Sequence, residues 1–524
     1  MLFLLEKCSS LRNYSPSTLG SNFSVEMHKT WADRKPLHGT DGKAPKIKVP
    51  MANAESRLKK DSEGEIEKHK ARVVAKGFNH KEGVDYHETF APVARLASIR
   101  TVLAIAARNG WKIDTFDFHS AFLNGEFGEN EEIYMEQQPG YEEKNRREYV
   151  LRLLKTIYGL RQASRKWYEI VCRLMTELGF TRSESDPAVF YWHEGDDRMV
   201  IVVHVDDCTI VGNSQELIDD CKRKINAKYA MTNLGPTSWV LGIKVTRNLD
   251  ERTLGLSQTA YIDSILRRFN FTDLKPVSTP MDPTIRYSKT QCPETLEEKA
   301  RMKNIPYREA IGAFMYCAVA TRPDISFAVA LLSQFLENPG EVHWNGVKHV
   351  YRYLLGTKHL RLVFGETKNS IPGYPDADGA TQDHRHAISG YAFLIDGGAV
   401  SWFSRKQEIV TLSTAEAEYV AATHAAKEAI WLKRLITETF DFPDNPITLH
   451  CDNQSAIALT KDNAHHSRTK HIDIRYHFIR YSVQDGKINI IYCPTNENVA
   501  DTLTKPLPSI KAKHFAAALG LREH

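Results

Sequence analysis

Two consecutive aspartates, Asp206 and Asp207, interrupt an otherwise apolar stretch. Met199-Val-Ile-Val-Val-His-Val205 precedes them and Cys208-Thr-Ile-Val211 follows. Both flanks are rich in β-branched residues, and the pair between them has turn chemistry, so the segment reads as a β-hairpin with acids at its tip. Upstream, Ile113-Asp114-Thr115-Phe116-Asp117-Phe118 is a second β-rich run carrying an acid, followed by Ser120-Ala-Phe-Leu-Asn-Gly125. One acid on a strand and two on a hairpin tip form the carboxylate set that a two-metal nucleotidyl transferase requires. Phosphodiester formation needs an activated 3′ oxygen and a stabilised leaving group. Two Mg²⁺ ions roughly 3.5–4 Å apart serve both, and hard cations demand carboxylate ligands. An isolated Asp-Asp pair is also an ordinary polar turn, so the neighbouring segments decide between the readings.

At 524 residues the chain exceeds one ordinary core. Its formal charge of +4 permits nucleic-acid binding without arguing for it. Eight cysteines, with no Cys-x-x-Cys pair, favour reduced thiols over a disulfide framework or a zinc module. Met1-Leu-Phe-Leu-Leu5 is too short for a signal-peptide core, and no apolar run approaches the roughly 18 residues of a membrane span, so no membrane partner is expected. No GxxxxGK[ST] loop is present, which argues against a helicase or ATPase. A zinc knuckle, an aspartic-protease D-[ST]-G triplet and an integrase segment are also missing.

Residues 1–64 lack sustained periodicity and read as poorly ordered or truncated. Ser98 is positioned to cap a helix carrying Ile99, Val102, Leu103 and Ala106, with Gly110 as its stop. Pro276, Pro280, Pro283, Pro293 and Pro306 mark a linker, and a helical stretch over 307–356 follows, broken at Thr321-Arg-Pro-Asp324 and Asn338-Pro-Gly340. Beyond Ile371 the pattern turns α/β. Asp396-Gly-Gly398 reads as a hairpin turn, a long helix is expected over 414–439, and strands over 447–451 and 487–492. In this half Asp376, Glu416, Asp452 and Asp501 stand in the order D-E-D-D, a candidate second two-metal site suited to hydrolysis. Each has a plainer explanation: Ser413-Thr-Ala-Glu416 is a capping box, and Asp452 and Asp501 are placed like helix caps.

Several blocks then stand in a fixed order: His69-Lys-Ala-Arg-Val-Val-Ala-Lys-Gly77, the Asp117 segment, Lys155-Thr-Ile-Tyr-Gly-Leu-Arg-Gln-Ala-Ser-Arg-Lys-Trp-Tyr168, His204-Val-Asp-Asp207, Leu241-Gly-Ile243, Leu412-Ser-Thr-Ala-Glu-Ala-Glu-Tyr419 and Cys451-Asp-Asn-Gln-Ser-Ala456. Over most of residues 65–508 the chain resembles the reverse transcriptase of copia-type long-terminal-repeat retrotransposons. The resemblance implies an α+β and α/β multidomain fold: a right-hand, fingers-palm-thumb polymerase, a helical connection, and an RNase H-like mixed-sheet domain. The corresponding division is 1–64 as an N-terminal segment, 65–271 as fingers and palm, 272–366 as linker and thumb or connection, 367–510 as RNase H and 511–524 as a tail.

By position the resemblance assigns Asp117, Asp206 and Asp207 to the polymerase. Phe122 becomes the aromatic crowding the sugar 2′ position, Gln162 a lining of the nucleotide pocket, and Arg72, with Lys76 beside it, a triphosphate ligand. It assigns Asp376, Glu416, Asp452 and Asp501 to the nuclease, with Asp378 and Glu418 as rivals for the first two places. Mg²⁺, two ions per active site, is the implied cofactor. The implied partners are an RNA template, a DNA primer, an RNA–DNA hybrid and dNTPs, with a dimer or other retroelement proteins beyond these. The implied location is the cytoplasm, in a virus-like particle for an active element, or the nucleus. A degraded copy that binds nucleic acid without catalysis, and a nuclease on a dead polymerase scaffold, are the competing readings.

The chain departs from the family pattern at four places. His204 stands where tyrosine is usual, and Gly379 where tryptophan is usual. No tryptophan-bearing strand is recognisable just before residue 65, and Cys493-Pro-Thr-Asn-Glu-Asn498 contains no histidine. His465, His466, His471 and His477, interleaved with arginines and lysines, suit a phosphate-facing surface better than a zinc site.

Overall fold

A computed structural model describes residues 32–36, 52–60, 66–77, 80, 82–83, 86–128, 131–137, 149–365, 370–379, 386–461 and 477–523. Its central element is a six-stranded antiparallel sheet ordered Met231–Pro236, Lys112–Phe118, Asp207–Gly212, Asp197–His204, Val189–Glu194, Thr181–Arg182. Successive residues of a strand face opposite sides. Here Val200 and Val202 join the core beneath the Leu96–Arg108 helix, while Met199, Ile201 and Val203 join the one beneath Ala163–Glu177 and Gln215–Lys228. Both faces are covered. That is why the run reads as continuous apolar sequence instead of an alternation.

The Leu96–Arg108 helix is not capped by Ser98, as its sequence suggested. Ser98 lies inside the first turn, and the cap comes from Asp186, whose carboxylate accepts the Arg95 N–H at 3.0 Å and the Ser98 hydroxyl at 2.5 Å. The partner is 91 residues away, beyond any local capping rule. Gly110, with φ +67°, ends the helix as expected.

The helices Thr259–Arg268, Tyr307–Ala320, Ser326–Leu332 and Glu341–Thr357 share a separate core. The Thr321-Arg-Pro-Asp324 break is a buried ion pair: Arg322 Nε and Nη2 meet Asp324 Oδ1 and Oδ2 at 3.0 and 2.7 Å, and the Tyr353 hydroxyl donates to Asp324. C-terminal to these helices lies a five-stranded mixed sheet ordered Gly398–Lys406, Ile388–Ile395, Gly373–Asp378, Ile447–Cys451, Ile488–Tyr492. The first three strands are antiparallel and the last three parallel. Thr414–Phe440 crosses this sheet.

Two expectations change at the ends. The segment expected to be poorly ordered contains strands Ala32–Pro36 and Ala52–Lys60; the latter pairs with Ile66–Ala75. Its residues, Ala-Asn-Ala-Glu-Ser-Arg-Leu-Lys-Lys, are mostly polar, so pairing leaves almost no hydrophobic signature. Residues expected to form a tail instead build the Ser509–Ala518 helix and strand Leu521–Arg522, which pairs with Arg361–Phe364. Arg361–Phe364 in turn pairs with Thr253–Ser257, so the C-terminal residues complete a sheet begun in the polymerase-like half. Among the described residues no helix is long and apolar enough to cross a membrane.

One core runs through both halves, from Ile99, Val102 and Ile105 to Phe393, Val400 and Leu432. Arg100 is buried in it. Its guanidinium donates to Val400 O at 2.8 Å and to Val319 O and Ala320 O at 2.8 and 2.9 Å, and lies 3.9 Å over the Trp402 ring. Burial pushes its pKa down to about 9, with Glu428 opposing, so it stays charged at neutral pH. Arg100→Met should leave buried carbonyls unsatisfied and destabilise the protein by roughly 3 kcal/mol. In urea, the helical and mixed-sheet parts should then unfold together at lower denaturant; two separated transitions would contradict a shared core.

Candidate active sites

The first acid cluster is built by strand register. Asp207 pairs directly with Asp117 across Asp207–Gly212 and Lys112–Phe118, and Thr232 flanks Asp117 on the other side. Asp207 also pairs with His204, leaving Val205 and Asp206 as a two-residue turn. Val205 has φ +63°, a left-handed conformation that a β-branched residue adopts only under constraint. The Trp167 indole holds the turn by donating to Val205 O at 2.8 Å, and the Phe118 N–H by donating to Asp206 O at 3.0 Å. Desolvation, then the neighbouring Asp206 charge, raises the Asp207 pKa, with His204 opposing. Beneath them the Cys208 thiol is pushed up by burial and then by the fields of Asp207, Asp117 and Asp206. Register and turn thus place Asp117, Asp206 and Asp207 at the same end of this strand pair, each close enough to act on the Cys208 thiol.

Phe122 lies in the Ala121–Asn124 turn, its ring 5.2 Å from that of Tyr158 and edge-on to it. Gln162 is buried at the start of the Ala163–Glu177 helix, which packs on that turn. Arg72 sits on strand Ile66–Ala75 opposite Glu55; its side chain lies outside the described residues. Two motif blocks prove to be one unit. The Ala75 N–H donates to Tyr158 O at 2.8 Å, and Gly77 and Gly159 face each other so closely that a Cβ on Gly159 would lie 2.0 Å from Ala75 O. Gly159 also has φ +89°. Sequence reading missed this contact, along with Trp167 as the turn's tether.

In the second cluster Asp376, Glu418 and Asp501 are buried and Asp452 is half-buried. Asp376 lies on the central strand Gly373–Asp378, Asp452 directly follows Ile447–Cys451, and Asp501 lies in the short Val499–Leu503 turn. One carboxylate oxygen from each falls within 4.8 Å of the others. The helix contributes Glu418, whose carboxylate lies within 4.8 Å of Asp452 and the Cys451 sulfur. Its Oε2 is buried without a hydrogen-bond partner. Burial, then Asp376 and Asp452, raises the Glu418 pKa well above the usual range.

Glu416, expected here, is instead used as a cap. Its carboxylate accepts the Leu412 N–H at 2.7 Å, while the Ser413 hydroxyl accepts the Glu416 N–H at 3.3 Å. At roughly 100° per residue, positions two apart on a helix point nearly opposite ways, so Glu416 and Glu418 cannot share a site. Asp378, the rival for the first place, is only half-buried at the strand's end, whereas Asp376 is 1 % exposed.

Three residues after Asp501 also serve the cluster and were missed in sequence. The Thr504 hydroxyl donates to Asp376, and Lys505 and Lys511 reach Asp501. Burial pushes the Asp376 pKa up to about 7, with Lys505 opposing and Asp501 adding. Hard carboxylate oxygens converging around an unpartnered buried one suit a divalent cation. Of the histidine-rich segment, only His477 is described; its Nδ1 lies 3.0 Å from the Tyr419 hydroxyl.

Residues 42–283 match the family described as reverse transcriptase (RNA-dependent DNA polymerase). The chain is 43% identical to the retrovirus-related Pol polyprotein from transposon TNT 1-94 of Nicotiana tabacum, over 89% of this chain and 35% of that protein. Its identity to the Pol polyprotein from transposon RE2 of Arabidopsis thaliana is 38%, over 88% and 31%. With a putative transposon Ty5-1 protein of Saccharomyces cerevisiae it shares 30% identity, over 60% of this chain and 99% of the other. The chain belongs to the reverse transcriptase family of copia-type retrotransposon Pol polyproteins. It spans about a third of the length of the Pol polyproteins it matches.

Gly159→Ala would force a Cβ into Ala75 O at a left-handed position. It should destabilise the Ile66–Ala75 attachment by on the order of 3 kcal/mol. Hydrogen exchange of the Ala75 amide should accelerate accordingly, while amides of the mixed sheet should keep their protection.

Proposed function

We propose that this chain is an RNA-directed DNA polymerase, extending a DNA primer on an RNA template, joined to a nuclease that cuts the RNA strand of the resulting hybrid. The single observation that carries the reading is the pairing of Asp117 with Asp207 beside a strained, tethered turn that presents Asp206. Bound divalent ions would supply Lewis-acid charge at the attacking and leaving oxygens in each site. The protein's part is to place their ligands: Asp117, Asp206 and Asp207 in one site, and Asp376, Glu418, Asp452 and Asp501 in the other.

Trp167 and the Phe118 amide keep the turn from relaxing, so the carboxylates are positioned before substrate arrives. Phe122 would bound the sugar of an incoming dNTP and exclude a 2′ hydroxyl, with Gln162 lining the same pocket and Arg72 reaching the triphosphate. In the nuclease, Asp376 and Glu418 are buried, which shields the ligands they would offer an ion from bulk water.

Primer extension and hybrid cleavage by the purified chain test both halves. Asp206→Asn should lower extension by roughly 10²–10³-fold, the equivalent of several kcal/mol of lost charge stabilisation, and leave hybrid cleavage intact. A degraded, non-catalytic copy would extend nothing to begin with. Glu418→Gln should lower cleavage by a similar factor. Glu416→Gln should keep it within about threefold and reduce stability by only about 0.3–1 kcal/mol, since the amide oxygen still accepts the Leu412 N–H and only the favourable helix-end charge is lost. The opposite ranking of these two variants would return the site to Glu416.

A further inference from the structure

We propose that Lys505 and Lys511 are internal counter-cations of the C-terminal acid cluster, holding Asp501 when no divalent ion is bound and giving way when one arrives. The inference rests on the reading of that cluster as a divalent-ion site. Asp501 has 0 % exposure, and a carboxylate so placed needs compensating partners. Lys505 Nζ lies 2.7 Å from Oδ1 and Lys511 Nζ 2.5 Å from Oδ2, so both oxygens already face ammonium groups. A metal ion that takes Asp501 as a ligand must break at least one of these contacts.

The two lysines reach Asp501 from different elements. Lys505 is four residues on, just beyond the Val499–Leu503 turn, whereas Lys511 projects from the Ser509–Ala518 helix. Their side chains remain 30% and 34% exposed, so each ammonium can withdraw to solvent by rotating its own side chain. Lys511 has an alternative resting place as well: its Nζ already lies 5.2 Å from the centre of the Phe515 ring. Asp376, Glu418, Asp452 and Asp501 bring four carboxylates together, and without metal the lysines supply the nearby positive charge. The lysines are positioning residues in this scheme. They keep the empty cluster from flying apart electrostatically, and they weaken metal binding by competing for Asp501.

The test is a Mn²⁺ titration of the full chain, followed by calorimetry and by thermal melting. An Asp206→Asn, Asp207→Asn background silences the other acid cluster. Lys511→Met and Lys505→Met should each melt earlier without metal, bind Mn²⁺ about tenfold more tightly, and gain more melting temperature from it, because a like charge has left the ion's immediate surroundings. Lys511→Arg should restore weak binding, and Lys513→Met, an exposed neighbour on the same helix, should behave as the background does. If either methionine variant fails to fold, its glutamine counterpart, which keeps a donor without charge, must show the same tightening. Mn²⁺ affinity unchanged by loss of either lysine overturns the proposal. If instead the background protein shows no Mn²⁺ binding that Asp452→Asn removes, the reading of the cluster as a metal site fails first, and the counter-cation role with it.

Discussion

One guanidinium ties its own helix to two parts of the chain that lie more than 200 residues further on. Arg100 belongs to the helix packed on the six-stranded sheet, is buried, and donates to the last carbonyls of the Tyr307–Ala320 helix and to a strand of the mixed sheet. Those helix-end carbonyls have no partners within their own helix. Trp402 completes the set by donating its indole N–H to Ala318 O at 2.8 Å. Around this point the halves lock further: Arg108 meets Asp396 at 2.7 Å, Trp431 donates to Ser185 O, and Glu438 receives the Ser183 hydroxyl and the amides of Glu184 and Ser185. These contacts make the polymerase-like and nuclease-like parts one packed body.

The two acid clusters solve the same problem in different surroundings. At the hairpin, Asp207 is exposed, so water softens the repulsion from Asp206 that raises its pKa. What the fold must supply there is shape, and it does so through a strained Val205 held by Trp167. In the mixed sheet Asp376, Glu418 and Asp501 are buried, screening is weaker, and repulsion must be met by charge. At the second cluster Lys505 and Lys511 supply it, with the Thr504 hydroxyl donating to Asp376.

Much of this was legible in the residues. The paired apolar runs around Asp206 and Asp207, the turn at Asp396-Gly397 with both residues at positive φ, and the span of the long helix all follow from local periodicity and turn chemistry. What was not legible involves distant partners. Asp186 capping Arg95, Gly77 against Gly159, and Lys511 on Asp501 are contacts whose sequence spacing carries no signature. Glu416 and Glu418 show the same limit within one helix turn. Both fit an acidic pattern, and only the direction each side chain takes separates the capping residue from the one facing the cluster. The polar strand Ala52–Lys60 escaped notice because its pairing is made by backbone, which composition does not report.

The short strand Leu521–Arg522 completes a sheet whose other members are synthesised much earlier. Until those residues leave the ribosome, the Arg361–Phe364 edge stands open, and open strand edges invite pairing with other chains. Truncation just before Leu521 would therefore be felt less at either group of acids than in the yield of chains that escape aggregation during their own synthesis.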